Sequence, residues 1–113
     1  MIFDGFVGIP YRAGGHDRSG ASCYGLVAIV YDEMLRLELA REVDPGAWRE
    51  VEKGTEQPLD VVLLRERPWH LGLVVQRGRM LHMPEGKTSV VEPYTTGRHA
   101  SRVSGLYRHV SRI

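Results

Sequence analysis

Cys23 is the only cysteine in this 113-residue chain. No internal disulfide can form, and a zinc site built from several cysteines is excluded. Long apolar runs are missing as well: no stretch approaches the ~20 residues that cross a bilayer. Residues 1–12, MIFDGFVGIPYR, lack a basic start followed by a long apolar core, so no signal peptide is expected. Charge of one sign is lacking too. Fifteen Lys and Arg against fourteen Asp and Glu leave a net charge of +1, which argues against a nucleic-acid footprint. No His-x-x-x-His pair or carboxylate–histidine cluster stands out, so neither a metal nor a cofactor is expected. There is no repeat, low-complexity tract or long linker, and the length suits one domain over 1–113.

What is present divides into three patterns. Residues 1–22 are rich in turn formers (Gly5, Gly8, Pro10, Gly14, Gly15, Ser19, Gly20) and read as a loop-rich opening. Residues 23–40 read as a helix, because Cys23, Leu26, Val27, Val30, Met34 and Leu37 recur at spacings of three and four. Ser22 stands at its N-cap. A second short helix is expected over 47–53, ended by Gly54. From Pro58 the pattern changes to strands: Asp60 to Leu64, His70 to Val75, Met80 to Met83 after a Gln76-Arg77-Gly78-Arg79 turn, Thr88 to Glu92, and Ser104 to Arg108. A helical half followed by a run of strands predicts an α+β domain, with the cysteine-bearing helix packed on an antiparallel sheet of about five strands.

Cys23 at the first helical position, after a glycine-rich loop, suits a reactive thiol. The free N–H groups and partial positive charge of a helix N-terminus favour the thiolate and leave donors for an oxyanion. The plain structural reading is a small buried residue on the inner helix face. A nucleophilic cysteine needs a base and a group to orient it. His70 opens an apolar strand directly after the Pro68-Trp69 step, and His82 ends the next one. They are the candidate pair; otherwise they are two half-buried sheet histidines. With a simple two-residue Arg77-Gly78 turn they would point to opposite faces, since side chains alternate along a strand. A shared face therefore requires an odd-length loop or a β-bulge in this hairpin.

The run Gly8-Ile9-Pro10-Tyr11-Arg12-Ala13-Gly14-Gly15 followed by Ser22-Cys23-Tyr24-Gly25-Leu26-Val27 resembles the start of NlpC-type cysteine peptidases, papain-like enzymes of the bacterial cell wall. Leu59-Asp60-Val61-Val62, His70-Leu71-Gly72-Leu73 and Leu81-His82 continue the resemblance in the family's order. It implies a papain-like fold in which Cys23 is the nucleophile, His70 the base and His82 the residue that orients it. It further implies that the Tyr11 hydroxyl lies beside the cysteine and assists the oxyanion. The family often reads Asp-Cys-Ser-Gly where this chain has Ser22-Cys23-Tyr24-Gly25. The aromatic Tyr24, with the stretches 80–86, 90–94 and 105–109, is similar to members encoded in phage tail operons.

The resemblance thus implies a tail-tip peptidoglycan endopeptidase acting on stem peptides. Its expected partners are other tail-tip or hub proteins, and it would be made in the host cytoplasm and delivered by the virion tail to the cell wall. A structural tail component with a silent or masked site, and another acyl-transfer chemistry on the same scaffold, are the alternatives.

Remaining side chains have two readings each. Trp69 and Tyr24 are candidates to line the substrate groove. Trp69 equally suits an aromatic anchoring a strand start. Tyr24 and Tyr31, seven apart on one helix face, contact either a neighbouring subunit or the chain's own loops. Arg98, His99, Arg102, Arg108, His109 and Arg112 form either a surface for an acidic partner or a solvated face.

Overall fold

The computed structural model describes residues 2–67 and 69–113; Met1 and Pro68, and with Pro68 half of the Pro68-Trp69 step, lie outside the described residues. The opening segment folds as expected, in turns: a 3-10 turn at Asp4–Phe6, then a hairpin of β1 (His16–Asp17) and β2 (Gly20–Ala21). Helix α1 follows at once, Cys23–Leu35. The Ser22 side chain caps it, accepting the Gly25 N–H at 3.0 Å. Gly25 has a steric reason to be glycine. A Cβ there would stand 1.9 Å from the Gly15 carbonyl oxygen, so only a bare backbone lets the first turn of α1 press against the glycine loop. The loop thereby fixes the helix end that carries Cys23.

Six strands form the main sheet: β3 (Trp48–Glu50), β4 (Val61–Leu64), β5 (His70–Gln76), β6 (Arg79–His82), β7 (Val90–Pro93) and β8 (Val103–His109). Their order across the sheet is β3-β8-β4-β5-β6-β7, and every pairing is antiparallel. On one face, Leu26, Val27, Val30 and Tyr31 of α1 pack with Val61, Leu73, Val75 and Leu81 in a single buried cluster. On the other, Val62, Leu64, Val74, Met80, Tyr94 and Leu106 form a second, smaller one. Burying a side chain of this size contributes about 1.5–3 kcal/mol, so the α1–sheet cluster is the main source of stability.

The β5–β6 hairpin carries the bulge that a shared histidine face requires. Gly72 pairs with His82, Leu73 with Leu81 and Val74 with Met80, but Gln76 pairs with Arg79, so Val75 is one residue extra. The shift places His70 and Gly72 on the same face as His82. Gly72 has its own steric reason. A Cβ there would lie 2.4 Å from the Met80 sulfur, and with no side chain opposite His82 nothing stands between the two rings.

Three expectations are corrected. The helix stops at Leu35 rather than 40: Arg36 turns left-handed (φ 54°) and its N–H bonds back to Asp32. Leu37 prolonged the apolar spacing, yet it reaches the core from the loop after the helix. The helix expected over 47–53 is instead a 3-10 turn, Pro45–Ala47, followed by β3. Tertiary pairing outweighs local propensity here. Trp48, Arg49 and Glu50 pair with His109, Arg108 and Tyr107, and the Trp48 ring meets those of Tyr31 and His109 at 5.7 and 5.1 Å. This strand brings the sheet to six, not five.

Candidate active site

Cys23 starts α1 half-buried, at the Leu71 backbone near the start of β5. Burial pushes its thiol pKa up. Backbone hydrogen bonds from Leu71, Tyr24 and Cys23 itself oppose that rise, and the Glu66 carboxylate adds to it. The Leu71 amide belongs to the residue after His70, so the thiol lies at the strand end that carries the candidate base. Both are neutral at rest. Burial, and then the neighbouring His82, lower the His70 pKa to about 4. Glu66 Oε2 lies 4.0 Å from His70 Nδ1 and pulls the other way, favouring the imidazolium once a proton arrives.

His70 Nε2 lies 2.7 Å from His82 Nδ1, the two rings nearly perpendicular. His82 is almost wholly buried, and its Nε2 lies 2.7 Å from Glu92 Oε1. The same carboxylate accepts from Arg98 Nη2 at 2.9 Å and sits 3.0 Å from Nε2 of His99. Partial burial works against ionisation of Glu92, but hydrogen bonds from His99, Arg98 and His82 outweigh it and bring its pKa down to about 2. A line of groups thus runs from the start of β5 to β7 and the 3-10 turn Gly97–Arg102.

Of the residues expected at the site, His70 and His82 are in contact, and the Cys23 thiol reaches the backbone of Leu71, the residue after His70. Tyr11 is partly buried, and its backbone forms a bridge to Ala21, two residues before Cys23. Tyr24 lines an apolar cavity of about 250 Å³ with Val27, Trp48, Val61, Leu63 and Leu71. Its hydroxyl donates to the Ala40 carbonyl at 2.6 Å, and Tyr31 is fully buried with its hydroxyl on the Leu59 carbonyl. Both tyrosines therefore serve the chain's own loops. Trp69 is 52% exposed beside His70.

The basic residues near the C-terminus do not form one face. Arg98 is bound to Glu92, Arg102 to Glu66 and Arg108 to Asp60, while His99 and His109 are buried. Two site residues escaped the sequence reading, Glu66 and Glu92. Glu66 lies in an irregular turn that no periodicity marks. For Glu92 a signal existed: strand alternation puts it on the same face as His82 once β7 is registered on β6. The structure also supplies a carboxylate–histidine cluster that was not visible along the chain. Ligand-type atoms of His82, Glu92 and His99 all lie within 4.8 Å of one another.

The buried histidines make stability pH-dependent. His70 has a folded pKa of about 4 against an ordinary 6.5, and burial lowers His82 and His109 as well. Between those two values the unfolded chain binds a proton that the folded one refuses, so stability falls as pH falls through this window. From His70 alone the loss is about 3 kcal/mol. Urea unfolding at a series of pH values is expected to show the midpoint dropping below pH 6.5, and dropping less in His70→Gln. A midpoint constant from neutral pH to the region of the lower pKa would contradict it.

Among the described residues, no helix is long and apolar enough to cross a membrane. Comparison with solved structures returns the same architecture. An NlpC/P60 family protein from Bacillus cereus superposes with a TM-score of 0.78 at 21% identity, covering 93% of this chain and 37% of that one. A lipoprotein-like NLP/P60 protein from Staphylococcus aureus gives 0.78 at 20%, covering 94% and 38%. The chain therefore spans well under half the length of either. The NlpC/p60 domain of the peptidoglycan hydrolase SagA, nearer in size, gives 0.62 at 22%, covering 80% and 82%. These likenesses establish the papain-like α+β fold, with the Cys23 helix on an antiparallel sheet. No curated protein sequence matches the chain. The sequence profile of the NlpC/P60 family matches residues 8–108, from the glycine loop through the Cys23 helix and both histidine strands to β8. The chain belongs to the NlpC/P60 family.

Proposed function

We propose that this protein is a cysteine amide hydrolase that cuts stem peptides of peptidoglycan. The observation that carries the reading is the bulged β5–β6 hairpin. It sets His70 and His82 2.7 Å apart on one face, at the strand end where the chain's single thiol begins a helix. Membership of the NlpC/P60 family supports it, as does the fold likeness to a domain of a peptidoglycan hydrolase.

In this reading His70 Nδ1 takes the Cys23 proton as Sγ attacks the amide carbonyl. The tetrahedral oxyanion is met by backbone N–H groups at the start of α1, with the Tyr11 hydroxyl assisting. His70 passes the proton to the leaving amine, the C–N bond breaks, and a thioester remains on Cys23. Water, deprotonated by His70, then releases the acid and restores the thiol. Tyr24 and Trp69 line the path of the substrate. Glu66, near His70 Nδ1, stabilises the transient imidazolium.

Tail-tip delivery by a phage particle, with tail or hub proteins as neighbours and the cell wall as the place of action, belongs to the same proposal. Its support is the aromatic Tyr24 after the nucleophile and the stretches 80–86, 90–94 and 105–109.

The test is mass spectrometry of soluble fragments after incubating purified Gram-negative peptidoglycan with the protein. Release of stem-peptide fragments is expected, with masses that name the bond. A folded protein with an alkylatable thiol and no release would leave a structural tail component as the better account.

A further inference from the structure

Each polar atom in the line from His70 to Glu92 has a donor or acceptor role that follows from its neighbour. An ionised carboxylate only accepts. His82 Nε2 and His99 Nε2, both within 3.0 Å of Glu92 Oε1, must therefore carry their protons. A neutral His82 protonated on Nε2 has a bare Nδ1, which can only accept, so the proton in the 2.7 Å contact sits on His70 Nε2. His70 is then left with its lone pair on Nδ1. Among the described residues, the buried Nδ1 of His99 has no hydrogen-bond partner, as fits an unprotonated ring nitrogen at the end of the line. Arg98 Nη2 reaches both carboxylate oxygens, at 2.9 and 3.2 Å, and so places positive charge where a cation bound by His82, Glu92 and His99 would sit. The cluster is thus built to hold protons in fixed places rather than a metal.

We propose that Glu92 is a positioning residue: through His82 it locks His70 in the tautomer whose unprotonated Nδ1 serves as the base for Cys23. The proposal rests on the thiol–base reading of Cys23 and His70, not on the identity of the substrate. An orienting histidine can turn round and present the other nitrogen. If Glu92 lost its charge, a proton on His82 Nδ1 would face His70 Nε2 and drive the His70 proton to Nδ1, the atom that must be bare. The charged and titratable groups facing this line are Glu66, just before β5, His82 of β6, and Arg98 and His99 of the 3-10 turn, with Cys23 of α1 at the Leu71 backbone beside it. Glu66 favours a charged His70, and the other two histidines oppose it.

The experiment reads the tautomers directly. Long-range proton–nitrogen correlation spectra of the 15N-labelled protein at neutral pH are expected to show His70, His82 and His99 all protonated on Nε2. In Glu92→Gln the Nε2–H form of His82 and His70 is expected to lose its dominance. The rate of iodoacetamide alkylation of Cys23 should fall by about 10- to 100-fold, within the range a misplaced general base costs. Glu92→Asp, which keeps the charge, is expected to recover part of both, and thermal melts check that each variant is folded. His70 protonated on Nδ1 in the unsubstituted protein would overturn the proposal, even if no variant folds. So would a folded Glu92→Gln that keeps its tautomers, or alkylates within about twofold of the parent, less than an essential base orienter supplies. None of these readouts involves peptidoglycan. Failure to release stem peptides, with the tautomers as stated, would sink the substrate assignment and leave the role of Glu92 standing.

Discussion

Cys23→Ala is expected to release no stem-peptide fragments, and His70→Ala to release them about 10²- to 10⁴-fold more slowly than the parent, the usual contribution of a positioned base. The first loss is absolute because no other side chain in the chain can form the thioester: Cys23 is the only cysteine. The second is graded, because the helix N-terminus and the backbone amides around Sγ remain in place and still favour the anion. Folding separates chemistry from collapse. Cys23 is only half-buried, so trimming it to alanine should cost about 1 kcal/mol. His70→Ala leaves the buried His82 Nδ1 without its partner, so His70→Gln is the companion variant, polar and closer in size. Fragment release that survives Cys23→Ala would end the cysteine-hydrolase reading. Release unchanged in both His70 variants would move the base elsewhere.

Arg108→Ala is expected to destabilise the protein by about 3–5 kcal/mol, the cost of stranding a buried charge. Asp60 is completely buried and accepts from Arg108 Nε at 3.0 Å and Nη2 at 2.9 Å, with the Gln57 N–H at 2.8 Å as a further donor. Arg108 Nη2 also reaches the Thr55 carbonyl. Without the guanidinium, one backbone donor is left for a whole carboxylate. Arg108→Lys restores charge but not the planar fork, and should recover only part of the loss. Asp60→Asn combined with Arg108→Met should be less damaging than Arg108→Ala alone, because it leaves no buried charge behind. Urea unfolding of the three variants checks the order. A double variant worse than the single would mean that the pair itself, not the stranded charge, supplies the stability. The site would feel the loss: the Asp60 carbonyl accepts the Val74 N–H, just before the bulge that aims the histidines.

Local chemistry was legible where one residue type does one job. Ser22 capped the helix as read, because a hydroxyl just before an apolar periodicity has an orphan N–H within reach. The strand at His70–Gln76 and the turn at Arg77-Gly78 were marked by an apolar run and a glycine of φ 95°. The bulge was legible at one remove: two histidines that must share a face demanded it, although no residue announces that Val75 is the extra one. The strand at Trp48–Glu50 was not legible. Three residues carry too little pattern, and what makes them a strand is the edge of β8, more than fifty residues away in the chain.

By itself, the sequence determined the candidate nucleophile, because a single cysteine leaves no other thiol, and the helix that presents it, because capping and 3.6-residue periodicity are local properties. The tertiary structure alone decided which charges meet. Arg108 finds Asp60 and Arg102 finds Glu66, and Glu92 comes under His82, only after strands distant in sequence are brought into register. Hydrogen bonds and burial act across a few ångströms of space, and the number of residues separating two partners along the chain carries no trace of them.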